Sequence, residues 1–171
     1  MRPGRPGAGQ AAPAVDCAFG RLVYSKFSMF DRCIYFNINA LARVINKRWE
    51  AAFKRLGLSP SHAYLLRCVL ARPGSAQKQL AQDLAIAPST VTRAVDHLVR
   101  GGWLERRLGD DGREALIYPT RKARKVGAAL EKTGEQLYRE TRGTLGAPRF
   151  DALVASLRNG RSDLDPGSDT D

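Results

Sequence analysis

The sequence has little of what a disulfide framework or a metal centre needs. It contains three cysteines, Cys17, Cys33 and Cys68, with no Cys-x-x-Cys pair, and its only two histidines, His62 and His97, lie far apart. An odd number of widely spaced cysteines does not form a disulfide framework, and no zinc-binding spacing is present. We therefore predict no metal and no cofactor, and a reducing, cytoplasmic setting.

The sequence also lacks the features of a membrane protein or an enzyme. No apolar run approaches the roughly 20 residues that a transmembrane helix needs. There is no glycine-rich phosphate loop, no pair of candidate catalytic carboxylates and no nucleophile with an evident base. A chain of 171 residues has room for one ordinary domain but not for an additional cofactor domain. We expect no catalytic residue and no membrane partner.

Acidic residues are scarce relative to basic ones. The chain carries 28 lysines and arginines against 17 acidic residues, a net charge of +11. Such an excess favours a polyanionic partner, either nucleic acid or an anionic membrane surface. Between residues 61 and 130, basic residues outnumber acidic ones twelve to six, so much of the excess lies in this stretch.

The composition divides the chain into a folded domain and two tails. Residues 1–20 are rich in glycine, proline and alanine, and residues 160–171 are polar, acidic and interrupted by Pro166. Such segments bury too little apolar surface to fold, so we expect a disordered leader and a disordered tail. The folded domain is predicted over residues 21–159.

A long helix is predicted over residues 27–56 because neither glycine nor proline occurs from Arg21 to Leu56. Apolar residues recur there at steps of three and four, which indicates one helical face, and a second apolar row widens that face. The helix is therefore buried on two sides. Two interpretations remain, a core helix of the domain or a dimerisation helix.

Three short helices and a hairpin follow the long helix. Ser59-Pro60 starts a helix that ends at Ala71, Ser75 is placed to cap the next, and Pro88 opens a helix that runs to Arg100. The runs WLERRL and EALIYP, joined by Gly-Asp-Asp-Gly, predict a β-hairpin. These signals predict a helix-turn-helix over 75–100, a wing over 103–119 and further helices over 120–158. The predicted class is mainly α with a small antiparallel β wing, a winged helix-turn-helix.

The helix predicted from Pro88 to Arg100 has two different faces. Turning 100° per residue places one stripe of four apolar side chains, Val91, Ala94, Val95 and Leu98, on the buried side. The other side presents side chains suited to base edges and phosphates in a major groove: Ser89, Thr90, Thr92, Arg93 and His97. Ala87 cannot cap the helix with its side chain, which leaves backbone N–H groups for water or a phosphate. The alternative interpretation is that the hydroxyls only cap the helix.

The predicted wing carries Arg106 and Arg107 on its first strand and Arg113 after its turn. A cationic hairpin beside a groove-reading helix can reach the adjacent minor groove, whose potential attracts arginine. Arginines in a loop are more often only solvated. Together with the helix pair they indicate DNA binding.

Three stretches carry a resemblance to a known family: LGLSPSHAYLL, QKQLAQDLAIAPSTVTRAVDHLVRGGWLERR and DDGREALIYPTRKA. They resemble the MarR family of transcriptional regulators. The resemblance implies that Pro88–Arg93 opens the recognition helix, that Gln77 and Lys78 approach the DNA backbone, that Asp111 helps to hold the wing arginines and that Arg113 enters the minor groove. It also implies a homodimer built from the first helix and the last two. Two-fold symmetry would then require an inverted-repeat operator in double-stranded DNA.

The family resemblance further implies a repressor that is released by a small ligand or an oxidant, although the sequence does not identify the effector. The family's ligands lie between the dimer helices and the DNA-binding lobe, where Trp49, His62, Tyr64 and Arg67 are candidates; ordinary packing explains each equally well. One branch senses peroxides through a cysteine near the start of the first helix. Cys33 lies about one turn too early for that role.

The apolar neighbours of Cys33 favour a buried, unreactive thiol. Cys68, between apolar residues, is predicted to belong to the core. A redox-sensing regulator that uses Cys33 stays an alternative, as does a protein-interaction module without DNA binding. The first helix lacks the cationic stripe expected at a bilayer. We predict a cytoplasmic, sequence-specific regulator that binds double-stranded DNA.

Overall fold

The computed structural model describes residues 30–109 and 114–165. Helices dominate, with a small antiparallel sheet, so the predicted class is confirmed. The elements in chain order are α1 (Ile34–Lys54), α2 (Pro60–Ala71), β1 (Ser75–Ala76), α3 (Gln77–Leu84), α4 (Pro88–Arg100), β2 (Leu104–Leu108), β3 (Ala115–Pro119), α5 (Arg121–Leu145) and α6 (Ala147–Leu164). Among these helices, none combines the length and the apolar character required to cross a membrane. The predicted leader, residues 1–20, lies outside the described residues.

The chain divides into two units, Met1–Asn39 and Ala40–Asp171. In the first, α1 begins at Ile34 and not at residue 27 as predicted; residues 27–29 lie outside the described part. A turn precedes the helix, with the Cys33 N–H donating to the Phe30 carbonyl at 2.9 Å. The Asn37 amide donates to the carbonyls of Phe30, Asp31 and Cys33 at 2.9–3.2 Å. These bonds hold the turn and delay the helix, because an asparagine side chain competes for backbone groups.

The second unit is built around one apolar core, to which α1 contributes Phe53, while α2 to α5 and the hairpin strands supply nearly all of the rest. Its fully buried side chains include Leu65, Leu66, Val69, Leu80, Val91, Val95, Leu98, Leu104, Ile117 and Leu130. Of the four apolar side chains predicted on the buried side of α4, Val91, Val95 and Leu98 are fully buried and Ala94 is half-buried. The core therefore fixes which face of α4 is turned to solvent.

The start of α2 follows its sequence signals, whereas that of α3 does not. Ser59 caps α2 through its hydroxyl, which accepts from the His62 N–H at 3.3 Å, and Pro60 takes the first helical position. Ser75 does not cap α3, contrary to prediction. It lies in β1 and its hydroxyl donates to the Arg72 carbonyl at 2.6 Å, while Ala76 takes the N-cap position without a side-chain bond.

The sheet has the order β1-β3-β2 and is antiparallel throughout. The predicted hairpin is present: Arg106 pairs with Ile117 across β2 and β3, and the Gly109 N–H donates to the Glu114 carbonyl at 2.8 Å. β1 adds a strand that the sequence did not predict, with Ser75 opposite Ile117. A two-residue strand has no periodicity to read, so only pairing with β3 defines it.

Two helices, α5 and α6, occupy the region of residues 120–158 that was predicted to contain further helices. α5 ends at Leu145, and Gly146 takes φ +79° before α6 begins. α6 then continues to Leu164, so the predicted tail from residue 160 is wrong for residues 160–164; residues 166–171 lie outside the described part. Glycine at position 160 costs a helix only about 1 kcal/mol relative to alanine, which is too little to end α6 at that residue.

Candidate nucleic-acid interface

The helix α4 carries the candidate DNA-reading surface. Its bounds, Pro88–Arg100, are those predicted, and its N-cap residue Ala87 makes no side-chain cap bond. Five side chains expected to face DNA are all exposed: Ser89, Thr90, Thr92, Arg93 and His97. The Thr92 hydroxyl donates to the Pro88 carbonyl at 3.1 Å, so its hydrogen is already engaged. Arg93 makes no ion pair with any described residue. Hydroxyls at the helix start and an unpaired arginine one turn later form a surface that can donate to phosphates and base edges.

The two α3 residues predicted to approach the DNA backbone differ in exposure. Lys78 is exposed, whereas Gln77 is half-buried at the first position of the helix. The Gln77 Oε1 atom is buried and accepts no hydrogen bond from the described residues. Of the two residues, only Lys78 therefore presents a charged group to solvent, and it forms no ion pair with a described residue.

The described wing arginines are engaged within the subunit. Arg106 Nη2 lies 2.5 Å from Asp96 Oδ1 of α4. Arg107 forms an ion pair with Glu105 of its own strand and stacks over the Tyr118 ring, 4.6 Å from its centroid. Neither acidic partner was predicted from the sequence, although Glu105 and Asp96 are close in sequence to the arginines.

Asp111 and Arg113 lie outside the described residues, so their predicted roles stay predictions. Arg106 and Arg107, by contrast, belong to the described strand β2. Their charges are partly neutralised by their carboxylate partners, which weakens their attraction for phosphate.

The two histidines of the chain stack face to face, although the sequence placed them at different sites. Their ring centroids are 4.3 Å apart and their planes differ by 1°. Ser59 Oγ lies 2.9 Å from His62 Nδ1. Burial, and secondly the charge of His97, lower the pKa of His62. The stack joins the start of α2 to the recognition helix, so His97 has a structural partner besides any DNA.

Three of the four predicted pocket residues lie together. Trp49 Nε1 donates to the Tyr64 hydroxyl at 3.0 Å, and the Arg67 guanidinium lies over the Tyr64 ring at 5.4 Å. Tyr64 and Arg67 line an open cavity of about 590 Å³ between α2 and α5. His62 does not line this cavity.

The α5 side of the cavity was not predicted. Glu131 accepts two hydrogen bonds from Arg67, at 2.8 and 2.7 Å, and Lys132, Gly134, Glu135 and Tyr138 complete the lining. The hydrogen bond lowers the pKa of Glu131 and raises the pKa of Arg67. No local sequence signal joins Arg67 to a carboxylate 64 residues away; only the packing of α2 on α5 does.

Gly134 makes room for this ion pair. A Cβ atom at residue 134 would lie 2.7 Å from Arg67 Nη1, closer than a real Cβ contact. Glycine weakens a helix interior by about 1 kcal/mol relative to alanine. The close approach of Arg67 gives a reason for glycine in the middle of α5.

Two cysteines lie in the described part, and one differs from expectation. Cys33 is exposed, not buried as predicted: it lies at the turn before α1, and no described side chain covers it. Cys68 is half-buried against the core, and burial raises the pKa of its thiol. No group of three metal-ligating side chains occurs among the described residues.

Comparison with known proteins relates the chain to one family of transcriptional regulators. A model of the MarR family matches residues 56–114. YwoH, an uncharacterized HTH-type transcriptional regulator of Bacillus subtilis strain 168, is 31% identical over 119 residues, which cover 67% of this chain and 87% of YwoH.

Solved structures share the fold at lower identity. The organohalide-sensing regulator RdhR-CbdbA1625 in its 2,4-dichlorophenol-bound form superposes with a TM-score of 0.74 at 17% identity, covering 90% of this chain and 91% of that one. A mutant MarR from E. coli, complexed with operator DNA, gives 0.68 at 19% identity, covering 78% and 98%.

Proposed function

The chain belongs to the MarR family of winged-helix transcriptional regulators, and we propose that it is a cytoplasmic homodimeric repressor of an inverted-repeat operator. DNA-binding transcriptional regulation is the function of the family. The observation that carries the finer proposal is the exposed face of α4, where hydroxyls of the first turn precede the unpaired Arg93. Such a face suits a major groove, which presents a distinct donor and acceptor pattern for each base pair.

The DNA contacts divide by chemistry. Arg93 is placed to read a base edge, because its guanidinium can donate two hydrogen bonds to a guanine. Ser89, Thr90 and Lys78 would bind phosphates and fix the register of the helix. Arg113, supported by Asp111, would enter the minor groove beside Arg106 and Arg107. Gln77, Thr92 and His97 have partly buried or engaged polar groups and would act mainly by shaping the surface.

Exposed apolar side chains support the dimer. On α1, Ile34 and Tyr35 are 68% and 76% exposed, and on α6 Leu164 is 80% exposed. Large apolar side chains in such numbers at the ends of helices favour burial in an interface. Leu130 and Leu137 of α5 are buried within the subunit and cannot contact a second copy directly.

Selection from a random duplex pool, followed by footprinting, tests the proposal. Two copies of α4 related by two-fold symmetry require half-sites whose centres lie about 10 bp apart, one turn of B-DNA. The wings favour A·T-rich flanks, where the minor groove is narrow. Enrichment of an asymmetric site, or of none, would overturn the dimeric groove-reading mechanism.

The cavity between α2 and α5 is the proposed effector site. It is flanked by aromatic rings and by Arg67, and Trp49 reports on it because its indole is bonded to Tyr64. RdhR-CbdbA1625 binds 2,4-dichlorophenol, and we infer a small aromatic effector for this chain as well. With 2,4-dichlorophenol as the probe, Trp49 fluorescence should change and operator DNA should be released. A Tyr64→Ala variant that responds as the wild type does would exclude this cavity.

Control by an oxidant is the second candidate, because Cys33 is exposed. An organic hydroperoxide would transfer its outer oxygen to the Cys33 sulfur, breaking the O–O bond, releasing the alcohol and leaving a sulfenic acid. Wild-type protein should then lose operator binding on oxidation, whereas Cys33→Ser should not. Equal loss in both proteins would eliminate Cys33 as the sensor.

A further inference from the structure

The end of α4 and the start of α5 bring four exposed cations together. We call them the basic corner: Arg100, Arg121, Arg124 and Lys125. Thr120 joins the two elements, because its hydroxyl donates to the Gly102 carbonyl at 2.8 Å and its N–H to the Trp103 carbonyl at 3.0 Å. Lys122 donates to the Gly101 carbonyl at 2.7 Å and lies over the Trp103 ring. These bonds hold the first turn of α5 against the end of the recognition helix.

The basic corner has no acidic counterpart in the described part of the chain. None of its four side chains forms an ion pair there, and no acidic residue occurs between residues 121 and 130. The arginines at the wing and in the cavity differ, since Arg106 and Arg67 each have a carboxylate partner. Within the described residues, no carboxylate compensates the charges of the corner.

The position of these charges does not stabilise the helix that carries them. Cations in the first turn of a helix oppose its dipole, at a cost of roughly 0.3–1 kcal/mol each at the surface. Arg121 is also spaced three and four residues from Arg124 and Lys125, the helical spacing at which like charges repel. An anionic partner would relieve both effects, because it neutralises the cations and is itself favoured at a helix N-terminus.

The corner is continuous with the DNA-reading face. Arg100 follows Ser89 and Arg93 in one row along α4, at helical steps that keep all three on the exposed side. A helix of 13 residues is about 20 Å long, whereas the major groove is about 12 Å wide. With the first turn of α4 in the groove, the last turn approaches the phosphates that border it.

We propose that the basic corner binds duplex DNA phosphates beyond the bases that α4 reads, and so widens the footprint of each subunit. This inference rests on the proposed function, since it assumes that α4 enters the groove. Duplex DNA is favoured over an acidic protein surface because Arg100 belongs to the same exposed row as Arg93.

The test compares two variants of equal charge. The corner variant carries Arg121→Gln, Arg124→Gln and Lys125→Gln; Lys122 is retained because it bonds to the end of α4. The control variant carries Lys47→Gln, Arg48→Gln and Lys54→Gln, which removes three exposed charges from α1. Affinity for the selected operator and for random duplex is measured from 50 to 200 mM salt, with hydroxyl-radical footprints.

The corner variant should lower the slope of log affinity against log salt by about 2 to 3, since each lost phosphate contact contributes roughly 0.9. The change should be similar on operator and random duplex, and protected phosphates should be lost only outside the half-site. An equal fall in the control variant would show an effect of net charge and overturn the inference. An unchanged slope in the corner variant would overturn it too, and would point to an acidic protein partner. If the wild type fails to bind any duplex, the proposed function itself is wrong.

Discussion

Asp96 of the recognition helix accepts a hydrogen bond from Arg106 of the wing, with 2.5 Å between Oδ1 and Nη2. The two side chains are 39% and 34% exposed, so solvent screens their attraction. An exposed pair of this kind stabilises a fold by about 0–1 kcal/mol. Its main consequence is that Arg106 is held against α4 and that the carboxylate of Asp96 partly neutralises its charge.

Asp96→Asn should therefore free the charge of Arg106. We expect tighter binding to random duplex and a smaller ratio of operator to random affinity, because phosphate attraction increases without any gain in base reading. Asp151→Asn breaks the ion pair with Arg142 on α5 and α6 and changes the net charge equally. An identical rise in random-duplex affinity in this control would attribute the effect to net charge alone.

Arg93→Ala and Arg113→Ala should weaken binding in different ways. Loss of a bidentate contact to guanine should lower discrimination between operator and random DNA by roughly 1–3 kcal/mol in Arg93→Ala. Arg113→Ala should weaken binding to all duplexes and flatten the salt dependence, because a wing arginine acts through the backbone and groove potential. Titrations by fluorescence anisotropy on both duplexes measure the difference. Equal losses on every sequence would contradict this division.

Substitution of two glycines of α5 by alanine should have different effects on stability. At Gly127 an added Cβ meets only Leu70 Cδ1 at 3.7 Å, an ordinary contact, so Gly127→Ala should stabilise the protein by about 0.5–1 kcal/mol. Gly134→Ala gains the same helix propensity but pushes Arg67 away from Glu131. It should stabilise less or destabilise, as read from urea unfolding. Equal stabilisation by both would mean that Arg67 moves aside without loss.

The histidine stack predicts a loss of stability in acid. The pKa of His62 in the fold is lower than its ordinary value of 6.5, first because of burial and then because of His97. The folded protein therefore holds His62 neutral, and the unfolded chain binds the proton more readily. The contribution is complete above pH 6.5 and is lost as the pH falls through the lowered pKa. Urea unfolding between pH 5 and 8 should show it.

His62→Gln should remove most of this pH dependence, and His97→Gln only part of it, since the charge of His97 is the smaller cause. The residual carboxylate titrations are common to all three proteins and cancel in the comparison. A wild-type curve that matches that of His62→Gln would contradict the prediction.

The apolar α1 surface predicts a dimer. Light scattering at micromolar concentration should give about twice the chain mass of 18.8 kDa. Ile34→Glu places a charge at a side chain that is 68% exposed in the single subunit, so it should dissociate the dimer without unfolding the subunit. A monomeric wild type that keeps full operator affinity would be incompatible with the proposal.

The sequence by itself determined the local elements. The bounds of α4 and its buried stripe of Val91, Val95 and Leu98 follow from residues spaced three and four apart. Ser59-Pro60 set the start of α2, and the glycine-containing turn set the hairpin. These signals are complete within a few residues, because helix capping and helical periodicity are local interactions.

Only the tertiary structure decided the pairings that the site depends on. Arg67 with Glu131, His62 with His97 and the short strand β1 join segments that are distant in sequence. Each of these residues has several partners of suitable chemistry in the chain, and neither spacing nor charge selects among them. The packing of α2 against α4 and α5 does, since it brings together side chains whose positions the buried core has already fixed.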